Sequence, residues 1–232
     1  MTLILASKSP RRQALLAALG LTFSVDAADV DETPLPDEAP DALVCRLCRA
    51  KAQAVAVRQP HAVVLAADTL VALDGRLLGK PADQTEATEM LAALRDRTHQ
   101  VYTAVCVARG GEQRAQLAIS HVTMRPYSDQ EIAAYVASGD PLDKAGAYAI
   151  QHPLFSPVSG WTGCYTSIMG LPLGVATDLL REAGLPVEAD VAATCAGYGG
   201  RCCLLESSKL ETEGVSCTKI CSPGLTRRNE KL

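Results

Sequence analysis

Six residues near the N-terminus, Ser7-Lys8-Ser9-Pro10-Arg11-Arg12, hold two hydroxyls and three cations. The apolar run before them predicts a buried strand at Thr2–Ala6. Pro10 suits the first turn of a helix over about Arg11–Leu19, with Gly20 as its stop. A strand–loop–helix junction of this kind offers unpaired backbone N–H groups beside Ser7, Ser9, Arg11 and Arg12, which is what a polyphosphate needs. A capped helix with solvated arginines explains the same residues about as well. A second signal is Asp68, at the end of the apolar run Ala62–Ala67 and followed by Thr69. A partly desolvated carboxylate there could hold a metal or take a proton. An ordinary Asx-turn is the commoner use of such an Asp. A third is Gly79-Lys80-Pro81, a point charge for phosphate beside a permissive backbone. The fourth is Asp143 through Gln151, where Gln151 carries both a donor and an acceptor for a base edge. Asp143 and Lys144 read alone as a surface ion pair of little worth.

What must position these groups is legible in outline. Continuous apolar runs at 62–67 and 69–73 predict a strand buried on both faces, with a hairpin turn at Asp74-Gly75 and a return at Arg76–Leu78. A short strand is expected at Phe23–Asp26. A helix capped by Asp41 runs to about Arg58, and Gln84–Leu94 reads as an amphipathic helix. Long strands at 100–109 and 113–123 meet at Gly110-Gly111. Ser128-Asp129-Gln130-Glu131 is a capping box for a helix to Ser138. Short strands are expected at 147–150 and 163–168, then a helix from Pro172 to Gly184. The alternation of strands and helices, broken by two hairpins, predicts α/β with a mixed sheet.

Taken singly each motif is weak; together they describe a polyphosphate site with a carboxylate, assembled from four separated segments. The chain resembles the Maf family of nucleoside triphosphate pyrophosphatases. The likeness rests on Leu5 through Arg12, Val30-Asp31-Glu32, Ala67-Asp68-Thr69, Gly79-Lys80-Pro81, Thr98 through Val105, Leu142 through Gln151 and Met169-Gly170-Leu171-Pro172-Leu173. These run in family order over residues 2–187. The resemblance implies hydrolysis of a nucleoside triphosphate to the monophosphate and pyrophosphate. It implies a fold like the inosine triphosphatase group, an elongated mixed sheet flanked by helices with a central cleft between two lobes. It implies a divalent cation, Mg²⁺ or Mn²⁺. The family's proton acceptor falls on Asp68, and its specificity positions fall on Arg11, Thr69 and Gln151, in the combination of the dTTP/UTP branch. Where that branch has Gly-Ile-Gln-Gly, this chain has Ala149-Ile150-Gln151-His152. On this reading Arg11, Arg12, Lys51 and Lys80 supply cations, and Glu32 and Asp68 share the metal. Three other readings compete: the same reaction on 7-methyl-GTP or another modified purine, a nucleotide-binding regulator of septum formation without catalysis, and a zinc-binding interaction module carried by the tail.

Composition sets the limits. The 232 residues carry 22 basic and 26 acidic side chains, a net charge of −4, with 48% apolar residues and 4% aromatics. A disordered or fibrous chain is excluded. Mild acidity disfavours nucleic-acid polymers as partners. The longest uncharged stretch, 145–177, holds three prolines and five glycines, so it is not a membrane span. No signal-peptide pattern opens the chain, and a cytoplasmic protein is expected. A homodimer is left open. His61, His99, His121 and His152 show no ligand spacing. Cys45, Cys48, Cys106 and Cys164 read as small buried apolar groups. Residues 1–190 are expected to form the pyrophosphatase domain. Residues 191–232 are expected to be a disordered, Cys-rich tail outside it; Cys202-Cys203 and Cys217-x-x-x-Cys221 match no standard zinc finger.

Overall fold

The computed structural model describes residues 1–199 and 218–221. The chain runs β1 (Leu3–Leu5), α1 (Pro10–Ala17), β2 (Ser24–Val25), α2 (Pro40–Arg58), β3 (Val63–Leu73), β4 (Arg76–Leu78), α3 (Gln84–Leu94), β5 (Thr98–Arg109), β6 (Glu112–Met124) and α4 (Asp129–Ala137). Two short 3₁₀ turns at Asp140–Asp143 and Ala145–Ala147 lead to β7 (Val158–Thr162), α5 (Tyr165–Ile168), α6 (Leu173–Glu182), α7 (Val191–Gly197) and β8 (Thr218–Ile220). The sheet has the order β2-β1-β3-β5-β6-β7, with β4 added to β3 and β8 to β6. β1 is parallel to β2 and β3, and every other pairing is antiparallel, so the sheet is mixed as expected.

Local chemistry explains the elements that matter. Ser9 caps α1 by accepting from the Arg12 N–H, and Pro10 opens its first turn. Leu15 and Leu16 then pin α1 to the core, each contributing about 1.5–3 kcal/mol by burial. α2 opens at Pro40 without a side-chain cap. Asp41, expected as the cap, instead sits in the first turn and Arg58 in the last, both complementing the helix dipole. The capping box of Ser128 and Glu131 is formed. Asp74 and Gly75 both adopt positive φ, as a tight hairpin requires.

β3, β5 and β6 are long enough to serve two lobes. At one end α1, α5, α6 and α7 cover one face and α2 covers the other. At the other end α3, α4 and the 145–155 segment form a separate core. This is the two-lobed arrangement. The register of β3 creates the cleft between the lobes. β5 pairs along one edge from Val64 to Ala72. On the opposite edge β1 reaches Leu65 and β4 begins at Val71. The β3 edge across 66–70 has neither strand beside it, and that edge carries Asp68 and Thr69.

Three expectations are corrected. Residues 147–150 and 163–168 do not form strands; the strand is Val158–Thr162, and 165–168 is helical. The segment beyond 190 does not begin as a disordered tail: Asp190 caps α7, and Cys195, Val191, Ala192 and Tyr198 pack on the α1/α6 core. β8 pairs with β6. Cys45 is not a plain buried thiol, because it is disulfide-bonded to Cys221. Cys202, Cys203 and Cys217 lie outside the described residues. Among the described residues no helix is long and apolar enough to cross a membrane.

Candidate active site

A cleft of about 950 Å³ lies over the open edge of β3. All ten residues singled out in the sequence line it: Ser7, Ser9, Arg11, Arg12, Glu32, Lys51, Asp68, Thr69, Lys80 and Gln151. Six basic and four acidic side chains line it. The cleft is therefore basic on a chain whose net charge is −4, the polarity a polyphosphate requires.

Asp68 sits within β3, not at its end, paired across to Ala104. It is 8% exposed. A carboxylate in a strand interior is tolerable here because Lys51, reaching over from α2, donates to Oδ1 at 2.9 Å. Lys51 also pairs with Glu32 Oε1 at 2.6 Å, so two carboxylates from distant segments converge on one ammonium. Burial would drive the Lys51 proton off, but Asp68 and Glu32 outweigh it and raise the ammonium above its usual range. Burial likewise disfavours the Glu32 charge, and Lys51 reverses that and holds it low.

Arg12 is the second anchor. Its Nε donates to Gly170 O at 2.9 Å, one terminal nitrogen to Ser7 Oγ at 3.2 Å and the other to Thr69 Oγ1 at 3.1 Å. Burial lowers the Arg12 pKa, partly offset by Asp68; an arginine stays charged through such a shift. The approach to Gly170 needs a glycine. Its φ is +112°, and a Cβ there would stand 3.4 Å from Arg12 Nε. Thr69 is held in turn by Thr103 at 3.0 Å, and Thr103 donates to Ser167 O at 2.8 Å. Arg11 and Lys80 line the same wall.

The opposite wall is the 145–151 segment. Gly146 packs against Val71 with φ +71°, where a Cβ would stand 3.1–3.3 Å from the Val71 side chain. Tyr148 bonds to His99 at 2.8 Å. Gln151 sits against the Tyr165 hydroxyl, where burial raises the phenol and the Gln151 hydrogen bond lowers it. Lys144, expected on the surface, is 7% exposed and pairs with Asp140 and Asp143.

Sequence reasoning missed Thr103 and Gly170. Thr103 and Gly170 sat inside quoted motifs, where a carbonyl acceptor and a relay hydroxyl carry no signature. For a divalent cation the donor set is Glu32 and Asp68. Among the described residues no group of three or more His, Cys, Asp or Glu side chains stands ready to hold one. Two carboxylates completed by substrate phosphates is the ordinary way Mg²⁺ is held, so these residues fit such an ion.

The sequence model of the Maf-like protein family matches residues 2–183. The chain is 51% identical over 190 residues to a dTTP/UTP pyrophosphatase of Thermomicrobium roseum, covering 81% of this chain and 87% of that one. It is 52% identical over 185 residues to a dTTP/UTP pyrophosphatase of Myxococcus xanthus, covering 80% and 94%. Among solved structures, a nucleoside-triphosphatase, a dITP/XTP pyrophosphatase from Mycobacterium abscessus, shares 18% identity with a TM-score of 0.37, covering 53% of this chain and 74% of that one. By the extent of the family match and the identity of these relatives, the chain belongs to the Maf-like protein family.

Proposed function

We propose that this protein hydrolyses dTTP and UTP to the monophosphate and pyrophosphate, in the cytoplasm, clearing nucleotides that should not accumulate. The observation that carries the chemistry is Asp68: a carboxylate where one edge of β3 is open, tethered by Lys51 and facing a basic cleft. Relatives named dTTP/UTP pyrophosphatase, 45–52% identical, support the substrate.

In this reading Ser7, Ser9, Arg11, Arg12 and Lys80 hold the phosphates. Water attacks the α-phosphorus; its oxygen forms the new P–O bond while the bond to the α,β-bridging oxygen breaks. The electron pair leaves on pyrophosphate. Asp68 takes the proton from water. Lys51 donates to Oδ1, so the proton goes to the other carboxylate oxygen. Arg12, fixed at three points, neutralises charge on the leaving group without reorganising. Glu32 and Asp68 would hold Mg²⁺ or Mn²⁺. When bound, the ion supplies further charge neutralisation on the phosphates. Arg11, Thr69 and Gln151 set base choice. The Gln151 amide matches the O4/N3–H edge shared by uracil and thymine; cytosine reverses both partners.

The test is pyrophosphate release across canonical and modified triphosphates, with and without Mg²⁺. UTP and dTTP should lead, CTP should lag, and release should need the metal. A methylated purine turned over faster than both would overturn the substrate assignment.

A further inference from the structure

The segment that carries Gln151 is held by very little regular structure. From Gly139 to Pro157 it contains only two 3₁₀ turns. Side chains from outside grip it at several points: Arg125 donates to Phe155 O at 2.6 Å and Ser156 O at 2.9 Å, His99 bonds Tyr148, and one reaches the backbone just before Gln151. Tyr135, on α4, accepts a hydrogen bond from the Ala149 N–H at 3.1 Å and donates its own proton to Asp140 Oδ2 at 2.7 Å. Asp140 is in turn paired with Lys144 at 3.0 Å. The chain of contacts is Lys144, Asp140, Tyr135 hydroxyl, Ala149 amide. It ties the beginning of the segment to Ala149, two residues before Gln151.

The order of donors matters. A phenol that gives its proton to a carboxylate is a stronger acceptor, because the bonds polarise one another. The Ala149 N–H therefore meets a better partner than an isolated tyrosine would offer. The ring is fixed as well. It stacks on Phe155 at 4.4 Å and 18°, and His152 lies 4.7 Å away. His152 Nδ1 accepts from the Phe155 N–H at 2.9 Å. The residues on both sides of Gln151 are thus referred to one tyrosine.

We propose that Tyr135 is a positioning residue for base selection: it sets the register of the 149–152 backbone so that the Gln151 amide faces the pyrimidine edge in one orientation. This rests on Gln151 reading the base, as argued above. Tyr135 does not line the cleft. Its removal should loosen selectivity more than turnover.

The experiment is steady-state hydrolysis of UTP and CTP by wild type, Tyr135→Phe, Asp140→Asn and Gln151→Ala, with a melting curve for each. Tyr135→Phe keeps both ring contacts and loses only the hydroxyl. Its KM for UTP should rise about fivefold and its kcat/KM preference for UTP over CTP should fall about tenfold, with a smaller change in kcat. Asp140→Asn keeps an acceptor and loses the charge, so it should fall between wild type and Tyr135→Phe. Gln151→Ala should abolish the preference. If Gln151→Ala is unselective while Tyr135→Phe keeps wild-type selectivity, Tyr135 is only a packing residue and the proposal fails alone. If Gln151→Ala keeps wild-type selectivity, the base-reading assignment fails and this proposal with it. Equal losses of kcat on both substrates in Tyr135→Phe, at unchanged selectivity, would also overturn it.

Discussion

The two walls of the cleft are built on opposite plans. The wall of Ser7, Arg12, Lys51, Asp68 and Thr69 is cross-braced by hydrogen bonds, most of them charged, between the loop after β1, α1, α2, β3, β5 and the 167–170 turn. Each functional group there is fixed by another functional group. The 145–151 wall is a run of small residues and left-handed turns, held through its backbone by Tyr135 and through Tyr148 by the buried His99. The difference separates two demands. Charge stabilisation in a transition state needs groups that do not move. Base choice needs only one amide at one angle, and a loop held by a few bonds can be re-aimed by few substitutions.

The largest effect should come from the braced wall. Asp68→Asn keeps the shape but takes no proton from water, so turnover should fall by ~10²-fold or more, with nucleotide binding retained. Near-wild-type turnover would place the base elsewhere and break the contrast.

The second concerns the support of the other wall. Burial lowers the His99 pKa from 6.5 to about 4. Above pH 6.5 the ring is neutral both folded and unfolded, and nothing is gained or lost. Below it the unfolded chain takes up the proton and the folded chain does not, so stability falls as pH drops from 6.5 to about 4. The loss should approach roughly 3 kcal/mol at the lower end. Urea unfolding at pH 7 and pH 4.5 measures it, and His99→Gln should show a flatter dependence.

Third, Gln151→Glu exchanges the amide donor for a second acceptor. The UTP-over-CTP preference in kcat/KM should shrink by about tenfold, while turnover on UTP falls less than in Asp68→Asn. A uniform loss on both substrates would mean the loose wall contributes to the reaction and not to choice.

The smallest effect tests what stands behind the braced wall. α7 packs on the core that carries α1, and the Tyr198 hydroxyl reaches Ala14 O. Truncation after Asp190, which removes α7, β8 and the Cys45–Cys221 disulfide together, should lower Tm by at least about 5 °C, with activity largely kept below the transition. Unchanged melting would show that neither α7 nor the disulfide supports the domain.

How far the sequence led can be argued element by element. The helix at Gln84–Leu94, the capping box at Ser128 and the hairpin at Asp74-Gly75 follow from nearest-neighbour chemistry, and they form where that chemistry places them. β7 was missed because its residues, Val158-Ser159-Gly160-Trp161-Thr162, show no buried alternation; they pair with β6 at the sheet edge and stay largely exposed. Strand pairing of that kind is decided by the partner, not by the segment. Residues 191–199 and 218–221 depart from the expected tail because composition cannot report that a short helix finds an apolar face to cover, or that Cys45 and Cys221 meet from 176 residues apart.

By itself the sequence determined the residue types: which groups carry charge, which can take a proton, and which segments bury their apolar runs. Those are properties of single side chains and of short periods along the chain. The tertiary structure alone decided that β1 and β4 leave the Asp68 edge of β3 open, and that one ammonium joins Glu32 to Asp68. It alone placed Tyr135 against the Ala149 amide. Each of these is a meeting of groups far apart in the chain. Such meetings depend on register and on packing between elements, which no local pattern encodes.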